Sequence, residues 1–456
     1  MGVVVENTDL SLKLAGHFND VKEKLFLNSP DIINAHRQKA LQDFVSQGIP
    51  TRKNESYKYT NLQPPFMPDY TFIHEKREGD VALHEIFKCD VPQLDTYMVL
   101  LQNGWFYGQD SQTGELPEGV IMDSLENVAK KQPELIEKYY AALAKSEDDP
   151  LIALNTAFAK DGYLLYIPAD VEIAKPIQII NLLKSGNDAF ITQRNLVIAE
   201  PGAKVNLIIC DHTLNGNKYL SNSVTEIHIG GNAQVDYYVL QNQHNDSASL
   251  NTVCIRQGND SIVRTNTVSL HGGLIRNSLK VVLDGENAEA GIFGMAFMDR
   301  RQHIDNFTRI IHAKPHCQST QVYKNVMDDK SSGAFSGLIH VVRDAQKINA
   351  SQRNNNLLLT DEATMHTKPQ LIIDADDVKC SHGATVGQID NEALFYLRTR
   401  GIGEKEAMLM MMNAFTHEVV QEIKVVPLRE RIDELISRRL NGEVARCHEC
   451  AYDCDS

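Results

Sequence analysis

Two side chains able to do chemistry stand two residues apart near the end of the chain. They are Cys380 and His382, in the stretch Asp374–Gly401, DADDVKCSHGATVGQIDNEALFYLRTRG. A thiolate and a neutral imidazole are soft-to-borderline metal ligands. In an extended strand their spacing puts both on one face, because side chains alternate with period two. Two ligands do not close a zinc site, which takes four, and no nearby residue completes the set. The pair is therefore either half of a site shared with another chain or a structural feature, since free cysteine commonly behaves as a small buried hydrophobe.

Three other groupings invite the same question. Cys447, His448, Cys450 and Cys454 crowd the last ten residues. A metal site usually joins two separated half-motifs, so this one-sided cluster reads as a thiol tail or a metal site. Gln352, Asn354, Asn355 and Asn356 form an amide-rich run, expected at solenoid corners where amides satisfy exposed backbone groups. The histidines between His212 and His366 are dispersed. No HExxH, Walker A, G-x-G-x-x-G or G-x-S-x-G pattern occurs. If ATP is involved, another chain hydrolyses it.

The 456 residues allow a large core and more than one domain. Sixty acids against 45 bases give a formal charge of -15, which argues against a general nucleic-acid or anionic-membrane surface. The N-terminal MGVVVENTDLSLKL has no basic segment before its short apolar run, unlike a signal peptide. No apolar run approaches the ~18 residues of a membrane span. A cytoplasmic protein is expected, with its eight cysteines reduced.

The elements that must position these residues change character along the chain. Residues 1–155 read as helical and mixed, with a helix opening at Ser29-Pro30-Asp31 and closing at Gly48, and another over Asp123–Lys145. Between them, Arg52–Leu62 is a polar connector with aromatic anchors at Tyr57 and Tyr59. Over 156–388 helical periodicity vanishes. Short apolar strands are separated by similar polar corners beginning at Asp170, Gly202, Gly231, Gly258, Gly285, Lys314, Asp344 and Asp376, with gaps of 32, 29, 27, 27, 29, 30 and 32 residues. A parallel β-solenoid fits this repeat, and so does a large antiparallel sandwich or barrel. A solenoid needs its ends covered. The N-terminal helices are expected at one end and the segment after Gly387 at the other. That segment, 389–442, carries a helix from Asp390 to Gly401. A second helix presents Met408, Met411, Met412, Phe415, Val419 and Ile423 as a core face or, given methionine's adaptability, a partner surface. Residues 443–456 read as a flexible tail.

The stretch Asp376–Ile402, with its DDVKCSHGATVG opening and LFYL-x-x-RGI close, resembles the SufB/SufD family of the SUF iron–sulfur cluster assembly system, in its SufD branch. Phe293-Gly294, His312–Pro315, Tyr323-Lys324, Gln352–Leu359, Thr367–Leu371 and the connector Arg52–Leu62 are similar to the same family. SufB resembles SufD in fold but carries His-Glu where this chain has His382-Gly383, and a cysteine where this chain has Asn354.

The resemblance implies a mainly β protein, a right-handed parallel β-helix flanked by N- and C-terminal helical regions. It implies a non-catalytic scaffold paired with SufB and bound to the ATPase SufC, with a homodimer when the chain is alone. It further implies a nascent Fe–S cluster shared with SufB, His382 as a ligand, Cys380 in the same interface, and no cofactor held tightly by the isolated chain. Leu394, Phe395, Tyr396, Arg400, Met411 and Phe415 would contact SufC, and Asn391–Leu440 would transmit its motion. The readings that compete are a SufB-like subunit and, from another class, a β-helix polysaccharide lyase or hydrolase, which uses paired carboxylates or calcium-bound acids.

Overall fold

The computed structural model describes residues 7–27, 29–76, 94–112, 114 and 116–440. Cys89 and the tail residues Cys447, His448, Cys450 and Cys454, read as a thiol tail or metal site, lie outside the described residues.

From Tyr163 to Gln388 the strands alternate between two sheets, and each pairs in parallel with the strand two places on. His303–His312, for example, pairs with Leu274–Leu283 and Ser332–Val341 in continuous register. This is a parallel β-solenoid, and parallel pairing removes the sandwich alternative. The corners fall where the repeat placed them. Asp170, Gly202, Asn232, Asp260, Asn287, His316 and Lys347 all adopt left-handed φ, turning the chain from one sheet into the other. Their backbone N–H groups donate from coil to coil, as from Gly202 to Gly231 O at 2.9 Å and from Asp260 to Glu286 O at 2.9 Å.

In-register pairing sorts inward side chains into columns. Val197, Ile227, Ile255, Val281, Ile310 and Ile339 form one apolar column, continued by Leu371. They face Val205, Val235, Val263 and Ala290 of the other sheet in a single core. Each buried aliphatic side chain contributes about 1.5–3 kcal/mol, and each needs its neighbours in the column to be buried at all. The amide run lies within the strand Ile348–Leu358 rather than at a corner, and Gln352, Asn354 and Asn356 are buried inside the solenoid. Amides tolerate that position because they bond one another, as Asn325 Nδ2 does to Asn356 Oδ1 at 2.7 Å.

The ends are treated differently. At the N-terminal end, Tyr97–Gln102 adds in parallel to Ile177–Leu183 and folds back antiparallel onto Trp105–Gln112, while Ile121–Ser124 pairs antiparallel with Tyr163–Ile167. The N-terminal helices lie on the outside of a sheet, where Phe18, Phe44 and Phe158 pack with Phe190, Leu220 and Leu250. The helix expected over Asp123–Lys145 is divided into Leu125–Lys131 and Pro133–Tyr139, because Pro133 has no N–H to continue it.

The expectation that the segment after Gly387 covers the other end is not met. Helices Glu404–Val420 and Val426–Leu440 fold back along the outer face of the second sheet. There Met412, Val419, Ile423 and Ile432 pack on Tyr238, Val268, Phe293 and Val322. The apolar helix face has an apolar partner on that wall, and the wall captures it. Among the described residues no helix is long and apolar enough to cross a membrane.

One buried ion pair ties the N-terminal region to the solenoid. Arg194 Nη2 lies 2.6 Å from Glu226 Oε1, both essentially without exposure. Glu226 also accepts from the backbone N–H groups of Ala141, Leu143 and Ala144 at 2.7–3.0 Å. Removing one member of a buried pair strands the other. Glu226→Ala is therefore expected to cost about 3–5 kcal/mol, measured by denaturant unfolding. A loss below about 1 kcal/mol would mean that the loop 141–144 is held by other contacts.

Candidate functional site at the open end of the solenoid

Among the described residues the last strand of each sheet has one neighbour only. Thr364–Ile373 pairs with Ser332–Val341, and Val378–Gln388 pairs with Ile348–Leu358. Their other edges carry unpaired backbone donors and acceptors. Natural proteins normally shorten, charge or cover such edges. Here the two strands run ten and eleven residues and expose Ile372, Ile373 and Val386. Pro369, Lys368 and Lys379 give partial protection, since proline lacks an N–H and lysine disfavours stacking. Long edges with apolar side chains beside them are suited to accepting another polypeptide.

Cys380 and His382 lie on the second of these strands, and the register fixes what stands beneath each. Cys380 tops the column Val205, Val235, Val263, Ala290, Ser319 and Ala350. His382 tops the column Tyr237, Thr265, Ile292, Gln321 and Gln352. Both therefore belong to the inward-facing set, as their spacing requires, at the mouth of the solenoid. Cys380 is half-buried against the core, and burial pushes its thiol up from its usual value, which keeps it protonated at neutral pH. His382 is exposed because no further coil covers it. Beneath it Gln352 is 1% exposed. Its Nε2 donates to Gln321 Oε1 at 2.6 Å, while its buried Oε1 has no partner among the described residues. Gly337 makes room for that amide, because a Cβ there would lie 2.2 Å from Gln352 Nε2. Among the described residues no three His, Cys, Asp or Glu side chains are grouped to hold a metal. Cys380 and His382 stand at the mouth as two side chains of ligand type.

The connector braces this last coil from outside. Tyr59 stacks on His366 with ring centroids 4.5 Å apart, and Glu55 pairs with Lys368. Tyr57 packs under the Arg276 guanidinium at 3.9 Å, and Thr60 bonds His303 Nε2 at 2.9 Å. The sequence marked Tyr57 and Tyr59 as anchors but not what they anchor to. Lys368 belongs to the family-like stretch Thr367–Leu371, His366 to the dispersed histidines, and Ile372 and Ile373 to an apolar strand-like run, so their spacing carries no sign of this brace.

The residues singled out for partner contact fall into two groups. Leu394, Phe395, Tyr396 and Arg400 belong to the helix Asn391–Thr399 and its C-cap. Asp390 caps the helix by accepting from Glu392 N and Ala393 N, and no residue in it is buried. Phe395 is 68% and Tyr396 57% exposed. Arg400 donates to the Tyr396 hydroxyl at 3.0 Å and lies over its ring. Met411 and Phe415 are half-buried on the next helix. Phe415 packs against the solenoid wall, with Lys324 Nζ 5.0 Å from its ring. Glu418 pins that helix to the wall through Lys324 at 2.8 Å and through Arg353, and these bonds hold its carboxyl below the usual range.

Comparison with known proteins agrees with this architecture. Residues 181–415 match the family model described as SUF system FeS cluster assembly, SufBD core domain, and residues 8–179 match the SufBD protein N-terminal region. A SufBD family iron–sulfur cluster assembly protein of Synechocystis sp. is 31% identical over 431 residues, covering 92% of this chain and 94% of its own length. The iron–sulfur cluster assembly protein SufD of Escherichia coli is 28% identical over 413 residues, covering 89% and 92%. SufD of Bacillus subtilis is 28% identical over 343 residues, covering 71% and 74%. The resemblance carried by Asp376–Ile402 and the connector is borne out, and the polysaccharide lyase reading falls away. The chain belongs to the SufBD family of the SUF iron–sulfur cluster assembly system.

Proposed function

We propose that this chain is a SufD-type scaffold subunit that pairs through its open solenoid end with a SufB-type subunit, in the cytoplasm. The observation that carries the proposal is the unpaired end itself, with Cys380 and His382 at its mouth. A partner solenoid presenting a like edge would satisfy the free backbone groups of both chains and cover Ile373 and Val386. The same geometry supports a homodimer when the chain is alone. The SufD-type assignment draws on the inward position aligned with the SufB cysteine. Here it holds Asn354, fully buried and bonded to Asn356, which offers no sulfur ligand.

In this reading the nascent Fe–S cluster is cargo assembled between the two subunits. His382 supplies an imidazole ligand, suited to iron when neutral, and Cys380 stands beside it in the interface. The remaining ligands come from the partner, which answers why this chain has too few. The chain itself is not catalytic, and a SufC-type ATPase hydrolyses the nucleotide. It would dock on the exposed helix Asn391–Thr399 through Leu394, Phe395, Tyr396 and Arg400, with Met411 and Phe415 at the border. Because Glu418 ties the following helix to the sheet, movement of the docked ATPase would reach the solenoid as a rigid-body displacement.

His382→Ala is expected to lower cluster formation by the reconstituted complex at least about tenfold, the scale seen when even an outer partner of a metal ligand is lost. The isolated variant should unfold like the parent, since the side chain is exposed. Undiminished cluster yield would remove His382 from the account.

The double variant Phe395→Ala/Tyr396→Ala is expected to weaken binding of the SufC-type partner by about 2 kcal/mol or more, as for aromatic hot spots, with pairing to the SufB-type subunit intact. Unchanged affinity by calorimetry would relocate the docking surface. Point variants suit this test better than deleting 405–440, which would strip the cover from Phe293 and Val322.

A further inference from the structure

We propose that the solenoid encloses a hydrated chamber, closed toward the open end by Tyr323 and Phe335, whose resident ligand is ordered water. The proposal rests on the fold and is independent of the functional reading above. Inside the solenoid lies a cavity of about 80 Å³, lined by polar side chains such as Asn181, Asp211 and Thr265 and by apolar ones such as Ile209, Val253 and Leu279. That volume has room for about five waters at the space one water requires.

The polar part of the lining is what favours water. In-register pairing stacks Gln193, Ser223, Asn251, Asn277 and Asn306 in one sheet, and Asn181, Asp211, Gln241 and Ser269 in the other. These groups bond across the interior. Gln241 Nε2 donates to Asn277 Oδ1 at 3.0 Å, Asn277 Nδ2 donates back to Gln241 Oε1 at 3.1 Å, and Gln193 Nε2 donates to Asn181 Oδ1 at 3.3 Å. Asn277 also donates to Asn306 Oδ1 at 3.1 Å and accepts from Asn251 Nδ2 at 3.2 Å, which fills its four positions, while Gln241, which also accepts from Ser269 Oγ at 2.6 Å, keeps one N–H unused among the described residues. Thr265 is 3% exposed and lines the cavity, and its buried hydroxyl has no partner among the described residues. Burial also pushes the Asp211 carboxyl up from its usual range. Dry cavities in proteins are apolar, and polar ones hold water bonded to two to four groups.

The closure is equally specific. The column of Asn277 and Asn306 stops at Phe335. Tyr323, itself a lining residue, lies with its ring 5.1 Å from that of Phe335. Gly294 admits the tyrosine, because a Cβ there would sit 2.4 Å from the ring. Beyond this aromatic pair the columns lead to the mouth with Cys380 and His382.

The test is a high-resolution crystal structure of the full chain, followed by xenon pressurisation of the same crystals. Discrete water peaks bonded to the Thr265 hydroxyl and the surrounding amides, with no xenon in the chamber, are expected. Thr265→Val should lose the peak at that hydroxyl and keep the rest. An empty chamber, a xenon atom or density for any other molecule would overturn the proposal. If Thr265→Val fails to fold, water-¹⁷O relaxation dispersion on the parent decides: long-lived internal waters are expected, and their absence counts against the chamber.

Discussion

Parallel pairing in continuous register is the constraint on which the rest of this molecule depends. Once each strand lies beside the strand one coil earlier, every inward side chain must share its environment with the residue above and below it. A column can then be apolar, as from Val197 to Leu371, or polar, as from Gln193 to Asn306, but an isolated misfit has nowhere to go. The left-handed corners from Asp170 to Lys347 keep the coils in phase, because each corner bonds to the next through its backbone. Energetically this is a nearest-neighbour system, in which a coil is stable only through the coils that flank it.

That logic makes the ends the places where function and stability compete. One end is finished with antiparallel strands. The other stops with two long unpaired edges and two ligand-type side chains at the top of their columns. The molecule supports this exposed coil indirectly, with Tyr59 and Glu55 bracing its outer face through His366 and Lys368. The N-terminal connector, remote in sequence, thus contributes to holding Cys380 and His382 in place. The C-terminal helices leave the edge free because the outer wall of the sheet offers them a larger apolar match.

Two kinds of polar burial coexist in the protein. In the Arg194–Glu226 pair the carboxylate accepts from three backbone N–H groups and so fastens one region to another. The interior amides and hydroxyls are only partly satisfied by one another, and water is the partner small enough to complete them. Burying partly bonded amides costs stability relative to aliphatic side chains, and the apolar column beside them supplies the compensating burial.

The sequence by itself determined the repeat, the corners, the strand content and the shared face of Cys380 and His382. Each of these depends on spacing along the chain: a corner about every thirty residues, alternation with period two, an aspartate immediately before the helix Asn391–Thr399. The motif around Cys380 also carried the family. Only the tertiary structure decided that the amides of Gln352–Asn356 face inward, that the methionine-bearing helices cover a wall rather than an end, and that Tyr59 braces the last coil. The physical reason is that periodicity tells which residues share a face, while the partner of that face is chosen by competition among surfaces far apart in the chain. An apolar helix stripe is the same string of residues whether it lies across a solenoid's mouth or along its side.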